Sequence, residues 1–242
     1  MEQGQRKVVQ RVRHELRRRE LVVESVAPLG EHFVSITFGG EALADFVSLS
    51  FDDHVKFMLD GSTDALRRDY TPRRYDAQSR QLTIEFALHG EGAASHWARH
   101  AEPGQAAVIG GPRGSMIVPP DFDWHLLVAD ATGLPAIRRR LEELPAGTRA
   151  IVVALAGAGD RILPATQAHL ELHWVDSADA LVDAVRALAL PAGEGYAWGG
   201  GEAAMMRRVR EVLVTDKALP KEAMRISAYW KQGAADFHED IG

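Results

Sequence analysis

A cationic and aromatic segment in the first third of the chain has the residue types best suited to chemistry. It spans residues 67–75 and combines arginines, two tyrosines and a threonine. Because Pro72 is incompatible with a helix interior, we expect an extended strand that presents these side chains together. A guanidinium binds a pyrophosphate bidentately, a phenol packs on a flat ring, and a hydroxyl reaches a ring nitrogen. The segment therefore predicts a flavin dinucleotide site, and the alternative is a solvated basic edge strand.

A glycine-rich segment further along the chain has the composition of an anion-binding loop. Its small and polar residues are His89, Gly90, Gly92, Ala93, Ala94 and Ser95. We expect them to lead into a helix over residues 95–100, whose first backbone amides would be open to a phosphate. The alternative is an ordinary surface helix that follows a flexible turn. The two segments together favour a dinucleotide more than either does alone.

Two segments in the second half of the chain have the pattern of a strand, a turn and a helix start. Residues 126–137 carry Asp130 and Thr132 in the turn, and residues 196–202 carry consecutive glycines. Parallel strands end together at the carboxyl edge of a sheet, where ligands bind, so we expect a nicotinamide nucleotide there. A well-made helix cap, with Pro135 in the first turn, explains the first segment equally well.

The totals limit the class of protein. The chain has 242 residues, a net charge of −6, 46% hydrophobic residues and a mean hydropathy of −0.17. These values are typical of a globular chain of one or two domains, and the acidic balance argues against nucleic-acid binding. Cysteine is absent, which excludes disulfides, thiolate zinc sites, iron–sulfur ligation and cysteine nucleophiles. Any redox chemistry therefore requires a bound cofactor.

The N-terminal residues are basic and carry a weak helical pattern. Val8, Val9, Val12 and Leu16 recur at helical spacing among arginines, so we predict an amphipathic helical extension over residues 1–19 with a solvated charged face. A nucleic-acid or membrane arm is the alternative. The charged start does not resemble a signal peptide, and no apolar run is long enough to span a membrane. We therefore expect no membrane insertion and a cytoplasmic location.

The remaining patterns predict two domains. Short β-rich runs separated by turn residues predict an antiparallel barrel or sandwich domain over residues 20–120. Its six predicted strands are 21–26, 32–38, 54–59, 81–87, 106–109 and 115–118. Strand and helix patterns then alternate over residues 121–242, which predicts a mostly parallel sheet covered on both faces. The predicted strands are 126–129, 150–155, 172–175, 196–198 and 226–229, with helices at 134–144, 178–190 and 202–214.

The spacing of Arg68, Tyr70 and Thr71 resembles the flavin motif of the ferredoxin-reductase superfamily. A longer run of features resembles the siderophore-interacting family of FAD-dependent ferric-siderophore reductases. These features are residues 54–56, 68–73, 89–97, 103–115, 134–137, 198–202 and 229–233. They occur in the same order as in the family and cover most of the chain.

The resemblance implies a fold, a reaction and a set of contacts. The fold is a six-stranded antiparallel FAD-binding barrel followed by a mostly parallel α/β nicotinamide-binding domain. The reaction is the reduction of a ferric siderophore, Fe(III) to Fe(II), with NADPH or NADH as donor. The implied FAD contacts are Arg68, Tyr70, Thr71, Arg73, His89, Gly92, Ala93, Ala94 and Ser95. The implied nicotinamide-side residues are Asp130, Thr132, Trp198, Gly200 and Glu202. The basic residues implied to hold the anionic siderophore are Lys56, Arg139 and Lys231.

Other interpretations stay open. The chain departs from the family pattern at Ala131, Gly133 and Gly199, all on the nicotinamide side, so a ferredoxin is an alternative electron donor. A non-catalytic protein that binds an iron chelate is another alternative. The ten histidines show no metal-ligand spacing on one helix, so core or surface roles are favoured over a metal site.

Overall fold

The structure, a computed structural model, describes residues 7–59, 67–88, 92–234 and 239–241. Its strands are β1 (Gln10–Arg13), β2 (Arg18–Pro28), β3 (Phe33–Gly39), β4 (Val55–Met58), β5 (Arg67–Tyr70), β6 (Arg74–Asp76), β7 (Gln81–Ala87), β8 (Ala106–Gly110), β9 (Gly114–Ile117), β10 (Trp124–Asp130), β11 (Arg149–Leu155), β12 (His169–Val175), β13 (Gly195–Glu202), β14 (Met224–Trp230) and β15 (Glu239–Asp240). Its α-helices are α1 (Ala93–Arg99), α2 (Leu134–Glu143), α3 (Ala178–Ala187) and α4 (Ala203–Glu211). Among the described residues, no helix has both the length and the apolar character to cross a membrane.

Strands β2 to β8 form a seven-stranded antiparallel sheet in the order β5-β4-β8-β2-β3-β7-β6. Burial alternates residue by residue along the first part of β2, so one face of that strand packs into a core that includes Phe38, Phe57 and Phe86. The strand count differs from the predicted six for two reasons. The cationic segment contributes β5 and β6 to this sheet, whereas β9 pairs with β1 instead.

The N-terminal segment forms a strand pair and not a helix. β1 runs antiparallel to β9, with Gln10 opposite Ile117 and Arg13 opposite Gly114, and β2 already begins at Arg18. The predicted helical extension is therefore wrong for residues 7–19. The valines that suggested a helix are β-branched residues, which favour strands, and β9 supplies the backbone partners that the sequence alone does not show.

The second sheet has the order β12-β11-β10-β13-β14-β15. Strands β10 to β14 pair in parallel, and β15 is antiparallel to β14. Residues of α2 pack in the core on one face of this sheet, and residues of α3 and α4 pack in the core on the other. All of β10 is buried because a sheet covered on both faces needs apolar residues in succession. The predicted alternation of strands and helices is confirmed.

The three consecutive glycines lie in β13, which runs to Glu202, rather than in the predicted turn. A Cβ on Gly201 would lie 2.8 Å from Asp130 Oδ2, and a Cβ on Gly200 would lie 3.0 Å from the rings of Trp198 and Tyr229. Close packing against neighbouring side chains therefore explains these glycines, and their backbone is extended strand.

Candidate flavin and substrate site

Tyr70 anchors the predicted flavin segment at the end of β5. The centroid of its ring lies 4.3 Å from that of Phe86 and 6.0 Å from that of Phe57. Burial raises the pKa of the Tyr70 phenol, although the nearby charge of Arg68 opposes this, so the hydroxyl stays protonated at neutral pH. Aromatic packing thus holds the ring in one orientation.

Thr71 provides a hydroxyl directly after β5. The residue is 7% exposed, and its hydroxyl makes no hydrogen bond to the part of the chain that the structure describes. The hydroxyl can therefore donate to and accept from water or a ligand. Beside it, Arg68 donates from Nη1 to the carbonyl oxygen of Arg67 at 2.8 Å and lies partly exposed.

Helix α1 packs on the same aromatic cluster as Tyr70. The ring centroid of Trp97, in this helix, lies 4.6 Å from that of Phe57 and 5.8 Å from that of Phe86. The helix begins at Ala93, two residues before the predicted start, with Gly92 at its N-cap. Ser95 is buried, and His89 lies outside the described residues. One core therefore positions both predicted flavin-binding segments.

The structure places Ala93 and Ala94 in the first turn of α1. Gly92 and Ala93 are exposed, and Ala94 is half-buried. A Cβ added to Gly92 would meet no atom within 4 Å. Small side chains and open space at this end leave the backbone accessible to a ligand.

Arg73 lies in a buried ion-pair network that joins the two halves of the chain. Its Nε lies 3.0 Å from Glu85 Oε1, and its Nη1 lies 2.7 Å from Glu142 Oε2 in α2. Arg138, also in α2, reaches the second oxygen of Glu85 at 2.7 Å, and Arg74 reaches Glu142 at 3.1 Å. Burial lowers the pKa of Arg73, but the hydrogen bond to Glu142 and the charge of Glu85 outweigh this and raise it. Arg73, a predicted FAD contact, therefore pairs with two carboxylates of the protein in this structure.

Arg139, a predicted substrate contact, is largely buried against other parts of the protein. Its guanidinium donates to the Pro72 carbonyl oxygen at 2.8 Å, to Ser48 Oγ at 2.8 Å and to the Ser48 carbonyl oxygen at 3.1 Å. It also pairs with Glu143 at 2.7 Å, and its side chain is 13% exposed. The bonds of Arg139 therefore hold backbone and side chains of the protein, and the predicted substrate contact stays a prediction.

Asp130 joins three strand ends at the carboxyl edge of the second sheet. Its Oδ1 accepts from Thr132 N at 2.8 Å and from Thr132 Oγ1 at 2.5 Å. Its Oδ2 accepts from Glu202 N at 2.8 Å and from Trp230 Nε1 at 2.9 Å. The polar atoms of Asp130 and Thr132 therefore fix loops at this edge, and their predicted nicotinamide contact stays a prediction.

The other predicted nicotinamide-side residues also have structural contacts. Trp198 is 1% exposed, with its ring centroid 5.5 Å from that of Phe51 and 6.3 Å from that of Tyr229. The structure therefore places Trp198 in the core between the two sheets, and not on an open ligand surface. Glu202 caps α4, since its Oε2 accepts from Ala204 N at 2.6 Å and from Met205 N at 3.0 Å.

Two of the predicted cationic residues lie at the protein surface. Lys56 is half exposed, and its Nζ lies 2.8 Å from Asp69 Oδ2 on the neighbouring strand. Lys231 is exposed directly after β14. Tyr229, within β14, has a pKa raised first by burial and then by the charge of Asp52, with Asp69 and Asp130 adding to the effect.

Both halves of the chain match known protein families. A siderophore-interacting FAD-binding domain profile matches residues 59–116, and a siderophore-interacting protein profile matches residues 122–233. The NADPH-dependent ferric-chelate reductase of Escherichia coli K12 is 36% identical over 91% of this chain and 96% of its own length. The chain belongs to the siderophore-interacting protein family.

Solved structures agree with membership of the siderophore-interacting protein family. A siderophore utilization protein from T. fusca superposes with a TM-score of 0.83 and 30% identity, covering 96% of this chain and 98% of that one. A ferredoxin reductase of carbazole 1,9a-dioxygenase superposes with a TM-score of 0.69 at 14% identity, covering 86% of this chain and 66% of that one. The second similarity shows the fold alone, which is ferredoxin-reductase-like.

Sequence reasoning missed a buried polar cluster in this siderophore-interacting protein. Asp53 is 2% exposed, and its Oδ2 accepts from Ser48 Oγ at 2.9 Å, Ser50 N at 3.1 Å and Ser115 Oγ at 2.7 Å. Burial raises the pKa of Asp53, although these hydrogen bonds lower it. Ser48 also accepts from Arg139, which donates to the Pro72 carbonyl oxygen. The cluster therefore helps to position the Pro72 backbone. Nothing in the local sequence distinguishes Asp53 from a surface acid.

A second missed contact docks the β2–β3 turn on the second half of the chain. Asp160 Oδ1 accepts from Glu31 N at 2.8 Å and from His32 N at 2.7 Å, and its Oδ2 lies 2.9 Å from His32 Nδ1. Gly30 has φ +74 in this turn, and a Cβ there would lie 2.6 Å from Gly159 O. Only glycine permits both this conformation and this close approach.

We expect this docking contact to weaken in acid. Burial raises the pKa of Asp160, but the hydrogen bonds from His32 and Glu31 outweigh it and hold the pKa below its usual 3.8. A depressed carboxyl pKa stabilises the fold above the unfolded-state pKa, and this contribution is lost as the pH falls through the folded-state pKa. Asp160→Asn should therefore lower the free energy of unfolding at pH 7 by roughly 1–2 kcal/mol, and the difference should shrink toward pH 3.

Urea unfolding of both proteins across this pH range measures the effect. Asp179→Asn, at an exposed carboxylate in α3, is the matched control and should change little at any pH. A loss for Asp160→Asn that is independent of pH would contradict the electrostatic origin of the contact.

Proposed function

We propose that this chain is an FAD-dependent reductase that uses NADPH or NADH to reduce the Fe(III) of a ferric siderophore to Fe(II). The observation that carries the proposal is the position of Tyr70 and Thr71. The Tyr70 phenol packs on Phe86, and the Thr71 hydroxyl precedes Pro72, whose carbonyl oxygen accepts from Arg139 of α2 in the second half of the chain. Membership of the siderophore-interacting family and the NADPH-dependent ferric-chelate reductase of Escherichia coli support the same reaction.

The residues around this position fit FAD. Thr71 offers its hydroxyl, Arg68 offers a guanidinium at the surface of the same strand, and Gly92 to Ser95 offer accessible backbone amides for a pyrophosphate. We propose that the first sheet, with residues 20–120, serves as the FAD-binding barrel domain. Bound there, FAD would supply the redox chemistry that links a two-electron nicotinamide donor to one-electron reduction of iron.

The protein contributes positioning and electrostatics rather than a proton-transfer residue. Residues 121–242 would bind the nicotinamide at the carboxyl edge that Asp130 ties together, so Asp130, Thr132 and Glu202 would shape this edge through their internal hydrogen bonds. Trp198 and Gly200 would act by packing beneath it. Lys56 and Lys231 would attract the anionic siderophore from opposite halves of the chain.

The direct test is spectroscopic. Purified protein supplied with FAD should be yellow, and anaerobic NADPH or NADH should bleach the flavin absorbance. Addition of a ferric siderophore should restore it with formation of Fe(II). A protein that cannot be reconstituted with FAD, or a reduced flavin that ferric siderophore does not reoxidise, would overturn the proposed function. Reduced ferredoxin in place of the nicotinamide tests the alternative donor.

Charge reversal tests the role of the two lysines. We expect Lys56→Glu and Lys231→Glu each to raise the KM for an anionic ferric siderophore by roughly fivefold to tenfold, because each replaces attraction by repulsion near the protein surface. Flavin reduction by the nicotinamide, measured by stopped flow, should not change. Lys221→Glu, an exposed lysine before β14, is the control. Equal effects on both half-reactions would contradict the substrate role.

A further inference from the structure

Strand β12 forms one edge of the second sheet. It is the terminal strand in the sheet order, and its pairing partner is β11. The strand is seven residues long, and Leu172 at its centre is 38% exposed. An edge of this length presents backbone donors and acceptors to any further strand.

The hydrogen-bond pattern identifies which backbone groups face outward. His169 N donates to the Thr148 carbonyl oxygen at 2.8 Å, so His169 faces β11. Backbone direction alternates along a strand, so Glu171 and His173 also face β11, and the intervening residues face away. These outward-facing residues are Leu170, Leu172 and Trp174. In the parallel ladder with β11, the backbone groups of these three residues therefore point away from β11.

We propose that β12 pairs antiparallel with β12 of a second copy of this chain, with Leu172 on the two-fold axis. In this register Leu172 faces the partner's Leu172, and Leu170 faces the partner's Trp174. All outward-facing groups of the three residues then form hydrogen bonds across the interface. The two second sheets become one continuous sheet.

Charge supports this register. Glu171 and His173 point to the same side of the sheet, with Glu171 Oε1 2.8 Å from His173 Nε2 within one chain. In the proposed register each Glu171 faces the partner's His173 in a non-hydrogen-bonded pair, where side chains approach closely. The interface therefore contains two symmetry-related pairs, each of Glu171 with the partner's His173.

Neighbouring registers are less favourable. A two-fold axis at Glu171 would place the two Glu171 carboxylates opposite each other, which is destabilising. It would also shift Trp174 past the end of the partner's strand. An axis at His173 would place two imidazoles opposite each other and leave Glu171 facing the partner's Val175. Under two-fold symmetry, the residue at the axis faces its own copy. Of these three registers, the one centred on Leu172 pairs all three outward-facing residues within the strand.

We expect a weak, concentration-dependent dimer, because a single strand edge buries less surface than the ~1,200–2,000 Å² of stable interfaces. Sedimentation velocity of the FAD-loaded protein from micromolar to submillimolar concentration should show a shift toward twice the chain mass of 26.5 kDa. Over the same range, hydrogen exchange at the Leu170, Leu172 and Trp174 amides should slow.

Three variants test the register. Leu172→Pro removes an outward donor without removing a bond to β11, so it should abolish the dimer. Glu171→Lys should also weaken association, and the double variant Glu171→Lys/His173→Glu should restore it by placing a carboxylate opposite each introduced lysine. Val47→Lys, at another exposed apolar residue, is the control and should leave association unchanged.

A wild-type chain that stays monomeric at every concentration would overturn the proposal and leave the edge to a strand of another protein. A dimer that survives both Leu172→Pro and Glu171→Lys would also overturn it. If Leu172→Pro fails to fold, as judged by circular dichroism, the charge-exchange pair still decides. Flavin reduction by NADPH should be unaltered in the charge variants, so failure here is separate from failure of the proposed function.

Discussion

Glu85→Met is expected to lower the free energy of unfolding by roughly 3–5 kcal/mol, because it removes a carboxylate from buried guanidinium groups. Glu85 is 7% exposed, and Arg138 beside it is 2% exposed. Arg73 would keep Glu142, but within the described residues Arg138 would retain only backbone carbonyl acceptors at Ile162 and Asp160 and its position over the Phe33 ring. Urea unfolding at pH 7 measures the loss.

Two comparisons make this prediction specific to the buried network. Asp179→Met removes the carboxylate of a surface pair with Arg208, whose side chain is 46% exposed, and should cost less than about 1 kcal/mol. Glu85→Met/Arg138→Met removes both partners and should recover part of the loss, since an apolar pair leaves no uncompensated charge. A loss for Glu85→Met as small as that of Asp179→Met would contradict the role given to this network.

Arg139→Ala is expected to weaken FAD binding roughly tenfold to hundredfold, given that hydrogen bonds from a charged donor contribute about 1.5–3 kcal/mol. Arg139 holds the carbonyl oxygen of Pro72, the residue after Thr71, so its loss frees the segment that the proposed function places against the flavin. Titration of the apoprotein with FAD gives the dissociation constant. Arg139→Lys keeps the charge without the planar fork and should be intermediate.

The alternative for Arg139 is the substrate contact that the sequence predicted. In that case the KM for ferric siderophore would rise while the FAD dissociation constant stayed unchanged. We predict the opposite: the FAD dissociation constant should rise, and the KM for ferric siderophore, measured in protein saturated with FAD, should stay unchanged. Arg149→Ala, at an exposed arginine at the start of β11, is the control and should change neither quantity.

The contrast between Arg139 and Tyr70 shows how far the sequence predicts the site. Tyr70 and Thr71 lie beside Pro72 in a short segment whose composition predicts a flavin site, and the structure packs the Tyr70 ring against Phe86. Arg139 lies among other arginines on a helix, and its partners Ser48 and Pro72 are distant in the sequence. A helical pattern shows that one face is buried, but it does not show which cations bind protein atoms and which face solvent.

The helix prediction for the N-terminal segment fails for a related reason. Four apolar residues at helical spacing favoured a helix, but β1 gains its hydrogen bonds from β9, about a hundred residues away in the chain. Trp198 shows the same limit, since a large aromatic residue at a strand end fits a ligand surface as well as a core. Contact with Phe51 and Tyr229 decides between the two.

The sequence by itself determined the class of fold, because strand and helix periodicities and turn residues are local properties, and its motifs indicated a flavin in the first half. The tertiary structure alone decided the roles of charged and polar side chains. Asp53, Glu85, Asp130 and Arg139 have partners far away in the chain, and a buried charge is stabilised by those partners rather than by its sequence neighbours. The same holds for β12, whose outward backbone groups are identified by its pairing with β11.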